Sequence, residues 1–283
     1  MRKIAPALLL CIFAFGAKAQ VTDTPKVNII DTIKKDLLTA PDTVPHLRSK
    51  LLSLVPPTLL IGYGVTSFYV KPIRNIDFWV RDQADDYQIV PNSRFENIVQ
   101  YAPLAFTYGL NLAGVRGKHT FVDRTLVLAM AMGLNKVATS ITKQGTNRMR
   151  PNGTDDFSFP SGHTSKAFVA AEFMAQEMGD VSPWYTVLGY SCATFTAMSR
   201  VSHKDHWFSD VIAGAGVGIL STKGAYLIYP YLRKLVVPKK EYKERREEKK
   251  FYPPDIPKKQ RKSATFLPTY GNGTVGFAFV AEL

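Results

Sequence analysis

Phe159-Pro160-Ser161-Gly162-His163-Thr164-Ser165-Lys166-Ala167-Phe168-Val169-Ala170-Ala171-Glu172-Phe173-Met174-Ala175-Gln176-Glu177-Met178 reads as a loop entering a helix. Ser161 is the expected N-cap, because its hydroxyl accepts one of the N–H groups that a first turn leaves open. The helix should run to about Met178, where Gly179-Asp180 and Ser182-Pro183 turn the chain. Phe168, Ala171, Ala175 and Met178 recur at three- to four-residue spacing, the mark of an amphipathic helix. Glu172 and Glu177 make it a poor membrane span.

Outward from this helix the same pattern repeats. Thr125–Thr142 is apolar except for Asn135 and Lys136, and Trp184–Ser199 carries no charge. Trp207–Pro230 is a last apolar run with small residues at Ala213, Gly214, Ala215, Gly216 and Gly218, which allow close helix packing. Ile98–Val115 and Leu51–Val70 are also uncharged; the second is long enough for a membrane span or for a buried core helix. Residues 71–97 mix Phe78 and Trp79 with Arg74, Asp77 and Arg81, as an interfacial or an ordinary surface helix does. Near the end, Ala264–Tyr270 and Thr274–Ala281 alternate around Gly271-Asn272-Gly273, a hairpin signal. The expected fold is all-α: a helical bundle of about six long helices with a small C-terminal β-hairpin.

The expected division is a leader over 1–19, a mobile arm over 20–50 with one short helix near Val27–Leu38, a bundle over 51–232, a basic linker over 233–262 and the hairpin over 263–283. Arg2 and Lys3, an apolar stretch Ile4–Phe15 and Ala17-Lys18-Ala19 form a signal-peptide pattern. It predicts cleavage before Gln20, export, and a site on the periplasmic side of a bacterial membrane. Cys11 lies in the leader and Cys192 is the other cysteine, so no internal disulfide is expected. The formal net charge is +13, with 13 basic and 5 acidic residues in 233–262. An anionic membrane surface and a solvated linker are equal readings of that excess. Nucleic acid is not expected, because no aromatic stacking pattern accompanies the charge. No protein partner is predicted.

Three polar clusters stand among the apolar runs: Lys143 to Arg150-Pro151, Pro160-Ser161-Gly162-His163, and Ser199-Arg200 followed by His206 and Asp210. They suit a phosphate-sized anion. A phosphoryl group in transfer carries charge on its equatorial oxygens, so its catalyst is mostly positioned positive charge and backbone N–H. Arg150 and Arg200 make forked, charge-assisted bonds and Lys143 adds a point charge. Ser161 and Gly162 offer N–H groups, and Ser161 a hydroxyl, at a helix N-terminus that favours anions. His206 and Asp210 lie four apart on one helix face, so Asp210 is expected to fix the tautomer of His206. His206 is then the nucleophile, and His163 the acid and base. No metal or other cofactor is expected. His203 lacks a carboxylate four residues on, and Arg148 stands outside the spacing; both read as supporting or surface groups.

The three clusters resemble the type 2 phosphatidic acid phosphatase family, which shares its site with vanadium-dependent haloperoxidases and bacterial acid phosphatases. The pattern is Lys-x6-Arg-Pro, Pro-Ser-Gly-His, and Ser-Arg-x5-His-x3-Asp, and this chain departs from it nowhere. The resemblance covers roughly residues 50–230. It implies a helical bundle, a phosphate cradle of Lys143, Arg150, Ser161, Gly162, His163 and Arg200, and His206 as a nucleophile paired with Asp210.

Three activities fit that site. The first is hydrolysis of a membrane lipid phosphate: phosphatidate, phosphatidylglycerophosphate, an isoprenyl pyrophosphate or lipid A. The others are a soluble periplasmic acid phosphatase and a vanadate-dependent haloperoxidase. Six spans counted from a cleaved leader would carry the site into the cytoplasm. Fewer true spans are therefore expected, part of the bundle packing on itself.

Overall fold

The computed structural model describes residues 51–86, 95–115, 117–236, 264–271 and 274–281. The chain divides into two units, Met1–Arg233 and Lys234–Leu283. A short 3-10 turn at Leu51–Leu54 opens the first. Eight α-helices follow among the described residues: α1 Val55–Thr66, α2 Lys71–Asp86, α3 Glu96–Val99, α4 Ala102–Leu112, α5 Phe121–Thr146, α6 Gly162–Met178, α7 Pro183–Ser202 and α8 Phe208–Val236.

Local chemistry explains the boundaries. Thr120 caps α5 by accepting from the Asp123 N–H, and Asn147 ends it at φ 44°. Ser161 caps α6 by accepting from the Thr164 N–H, and Ser182 caps α7, whose first residue is Pro183. Asp210 in the first turn of α8 complements the positive end of the helix dipole.

The core forms where α5, α6 and α8 meet. Val127 and Ala131 of α5, Val169 and Phe173 of α6, and Ala225, Tyr226 and Tyr229 of α8 are all buried there, with Leu104 and Tyr108 of α4 beside them. Ala167 and Ala171 close the other side of α6 against Ala193 of α7. α6 is therefore enclosed nearly all round, rather than lying with one face in solvent. Its two carboxylates are consistent with that position because both are paired: Glu172 with Tyr190, Gln176 and Lys223, and Glu177 with His119, Arg124 and Tyr226.

Two glycines set how α6 and α8 approach. A Cβ on Gly214 would lie 2.8 Å from the Ser161 carbonyl, and one on Gly218 would lie 2.3 Å from the Ser165 carbonyl. Their absence lets the start of α8 press directly on the start of α6.

The helix count is the first correction: eight α-helices, not about six long ones. Leu51–Val70 is not one continuous helix, since α1 stops at Thr66 and the axis bends by 89° into α2. Between Lys71 and Val115 the chain breaks into the shorter α2, α3 and α4. The hairpin is the second correction. Among the described residues from Leu51 to Val236 there is no strand, and the backbone pairing of Ala264–Gly271 with Thr274–Ala281 belongs to the separate second unit, so it gives no support to a hairpin as part of this fold. The expected leader, the N-terminal arm and most of the basic linker lie outside the described residues.

Two described helices are long and apolar enough to cross a membrane, Phe121–Thr146 and Phe208–Arg233. The bent pair of α1 and α2 makes up to three if it counts as one broken span. These helices support membrane association. Leu126, Leu134, Val137 and Ile141 of α5 and Ile228 and Leu232 of α8 are exposed, an apolar outer face of the kind that lipid can cover.

Candidate active site

Three backbone hydrogen bonds stitch the polar clusters together. The Ser158 N–H donates to the Arg148 carbonyl at 2.9 Å, the Asn152 N–H to the Lys204 carbonyl at 3.2 Å, and the Ser161 N–H to the Asp210 carbonyl at 3.0 Å. Segments up to 62 residues apart thus converge at the C-terminal end of α5 and the N-terminal ends of α6 and α8. Lys204 turns the chain between α7 and α8 with φ 55°, a conformation that non-glycine residues adopt rarely.

The cations line this junction. Lys143, in the last turn of α5, donates to the Phe157 carbonyl, and its Cε would lie 3.9 Å from a Cβ on Gly162. Arg150 Nε donates to Asp155 at 2.7 Å. Arg200 is nearly fully buried, with its Nη2 2.8 Å from Asp205 and its Nη1 3.3 Å from Glu96 of α3. Lys143, Arg150 and Arg200 act electrostatically on one another, and Arg200 acts on His163. Ser161 is fully buried, and its hydroxyl accepts from the Thr164 hydroxyl at 2.9 Å. It serves the cap that aims the α6 N-terminus.

His206 is almost completely buried, and its Nδ1 lies 2.7 Å from the Ser158 carbonyl. A carbonyl only accepts, so Nδ1 carries the proton and Nε2 keeps its lone pair. Asp210 is not the direct partner, because its Oδ2 stands 3.8 Å from Nδ1. It is bonded elsewhere: the Ser158 hydroxyl donates to it, as do the Trp207 N–H at 2.9 Å and Arg148 Nη1 at 2.6 Å. Asp210 therefore acts on His206 through Ser158 and through its charge.

Burial lowers the proton affinity of both imidazoles. His163 is pushed down to about 3 by burial first, then by the positive charge of Arg200 and Lys166 and by His206, with Asp205 opposing. His206 is also lowered, chiefly by burial, against the opposing effect of Asp210. Burial thus favours the neutral form of both rings. A bound phosphate supplies the negative charge that favours a proton on His163.

The structure brings Lys143, Arg150, Ser161, Gly162, His163, Arg200, His206 and Asp210 to one junction. Sequence reasoning missed Ser158, Asp77 and Glu96. Ser158 stands three residues before Ser161, a proximity that offered a signal. Asp77 and Glu96 reach the site from α2 and α3 across more than 100 residues, and no local pattern connects them. His203 Nδ1 lies 3.5 Å from Glu96, away from His206's place. Among the described residues no group of three or more His, Cys, Asp or Glu is arranged to hold a metal ion.

Known proteins resemble this chain over the segment that carries these residues. Residues 124–234 match the PAP2 superfamily. The chain is 38% identical over 239 residues to a Lipid A 1-phosphatase of Porphyromonas gingivalis, covering 78% of this chain and 49% of that protein. It thus spans about half the length of the curated relative it matches. Among solved structures, a transmembrane PAP2 type phosphatidylglycerolphosphate phosphatase from Bacillus subtilis aligns at a TM-score of 0.45 and 18% identity, over 66% of this chain and 98% of that one. The matched segment 124–234 contains all three polar clusters and the helix ends that join them, and the chain belongs to the PAP2 superfamily.

Proposed function

We propose that this chain is a phosphoric ester hydrolase that acts on the phosphate of a membrane lipid through a phosphohistidine at His206. The observation that carries the proposal is the buried His206, its Nδ1 proton held by the Ser158 carbonyl, at the centre of a junction that also gathers Lys143, Arg150 and Arg200. The cradle binds the phosphate oxygens and His206 Nε2 attacks phosphorus. The P–O bond to the lipid breaks as the P–N bond forms, and His163, protonated once the anion is bound, gives its proton to the leaving oxygen. His163 then takes a proton from water, which cleaves the P–N bond and releases inorganic phosphate. The fixed cations supply the positive charge, so no metal is required.

A lipid substrate is supported by the two apolar helices that end at the site and by the name of the Porphyromonas relative. We take a lipid A type phosphate as the leading substrate, ahead of phosphatidate and isoprenyl pyrophosphate. Residues 51–232 form the catalytic bundle in this reading, and the leader pattern supports a periplasmic site. Each CH2 that leaves water contributes about 0.8 kcal/mol, so long-chain substrates should exceed short ones by orders of magnitude in kcat/KM.

The test is phosphate release by the purified chain in mixed micelles with lipid A, phosphatidate or an isoprenyl pyrophosphate, against p-nitrophenyl phosphate. Activity should favour a lipid, survive EDTA and fall with vanadate, which mimics the five-coordinate transition state. Equal turnover of p-nitrophenyl phosphate favours a soluble acid phosphatase. Vanadate-dependent bromination without phosphate release makes the chain a haloperoxidase. Activity lost to EDTA and restored by a divalent metal removes the metal-free mechanism.

A further inference from the structure

Arg148 falls outside the spacing of the three clusters, yet it holds more of the junction together than any residue inside them. Its Nη1 donates to Asp210 at 2.6 Å and to the Ser209 hydroxyl at 2.8 Å, and its Nη2 donates to Asp77 of α2 at 2.7 Å. Asp77 is itself buried and accepts from the Ser209 N–H at 2.7 Å and the Ser209 hydroxyl at 2.6 Å. The guanidinium carbon lies 4.9 Å from the ring centre of Phe68 and 5.6 Å from that of Trp207. Both ends of the fork and the surrounding rings are protein. Arg148 therefore spends both ends of its fork on protein groups.

We propose that Arg148, clamped by Asp77, is a positioning residue for the reaction: it orients and neutralises Asp210, so that Asp210 bonds Ser158 and Ser158 in turn fixes the His206 tautomer. The inference rests on the reading of His206 as nucleophile.

The charge balance around the ring explains why this matters. His206 faces Asp210 from α8, Lys143 from α5, Arg150 from the loop after it, and His163 from α6. Asp210 is the group among these that favours a protonated, non-nucleophilic His206. Arg148 holds that carboxylate 3.8 Å from Nδ1 and bonded elsewhere. Without the guanidinium, Asp210 is free to bond Nδ1 directly and to draw a proton onto the ring. Ser158 then loses its fixed acceptor.

The experiment compares Arg148→Gln, Arg148→Lys and Asp77→Asn with the unaltered full chain, measuring kcat, KM and the pH profile of lipid phosphate hydrolysis, with circular dichroism as the fold check. Misplacement of this kind is worth about 100-fold in rate, so Arg148→Gln should lose about that in kcat with KM little changed. Its acid limb should move to higher pH, the direction set by a more basic His206. Arg148→Lys keeps the charge but not the fork, so it should lose kcat with a smaller shift of the limb. Asp77→Asn should resemble it. A simple structural defect lowers the active fraction without moving the pH limb. If Arg148→Gln does not fold, Arg148→Lys and Asp77→Asn decide the matter. Parental kcat and an unmoved limb in those two folded variants overturn the inference. Activity retained by His206→Ala overturns the nucleophile reading instead, whatever Arg148 does.

Discussion

The bundle has two polar ends, and they are built on opposite plans. At one, Lys143, Arg150, Arg200, His163 and His206 converge where three helix ends meet. At the other, Glu177 receives Arg124 Nε at 3.0 Å, His119 at 2.7 Å and the Tyr226 hydroxyl at 2.5 Å, all fully buried or nearly so. Asp123 beside it receives Tyr229 and Arg233. From Arg124 to Lys143 is 19 residues of α5, about 28 Å of helix, close to the thickness of a bilayer core. The closed end is saturated: burial works against the Glu177 carboxylate, yet His119, Tyr226 and Arg124 together hold its proton affinity below the usual range. The open end sets Lys143 against a backbone carbonyl, Arg150 against Asp155 and Arg200 against Asp205 and Glu96, around two imidazoles. Burial of charge alone therefore does not mark a site.

The sharpest way to break this comparison is His206→Ala. Loss of a nucleophile acting within a catalytic unit costs on the order of 10⁴-fold or more, so phosphate release should vanish while circular dichroism is unchanged. His203→Ala, which touches Glu96 and not the phosphorus path, should cost far less. Equal losses from the two would mean that the wrong imidazole has been named. The closed end should respond in a different observable. Glu177→Ala strands Arg124 and His119 in the interior, a loss of about 3–5 kcal/mol in stability, read as a lowered Tm in detergent. The rate per folded molecule should stay near the parent's, and a collapse of that rate would show that the two ends are coupled.

The smallest effect concerns pH. His163 falls from an ordinary value of 6.5 to about 3 in the fold. Between those values the unfolded chain binds more protons than the folded one, so stability rises with pH across that window and is lost on acidification. His163→Gln should remove this part of the slope of Tm against pH. Vanadate should flatten it too, because a bound anion favours the protonated ring. An unchanged slope in both would mean that His163 is not the group responsible.

Much of the site was legible before any coordinates. The three clusters carry unusual residue types at helix ends, and the N-cap at Ser161 and the His206–Asp210 spacing follow from local geometry. The number of helices was less legible: Leu51–Val70 looks continuous because nothing in its composition announces the bend after Thr66. The alternation around Gly271 reads as a hairpin, but the pattern says nothing of whether it belongs to the bundle.

The sequence by itself determined the helical character of the chain, the caps, and which residues are proposed to meet a phosphate, since each depends on neighbours within a few positions. Only the tertiary structure decided that Asp210 stands 3.8 Å from His206 with Ser158 between them, and that Asp77 reaches across 71 residues to clamp Arg148. It also decided that Glu172 and Glu177, poor residues for a span, are comfortable in the interior. A charge takes its meaning from the groups around it, and folding brings those groups from distant parts of the chain.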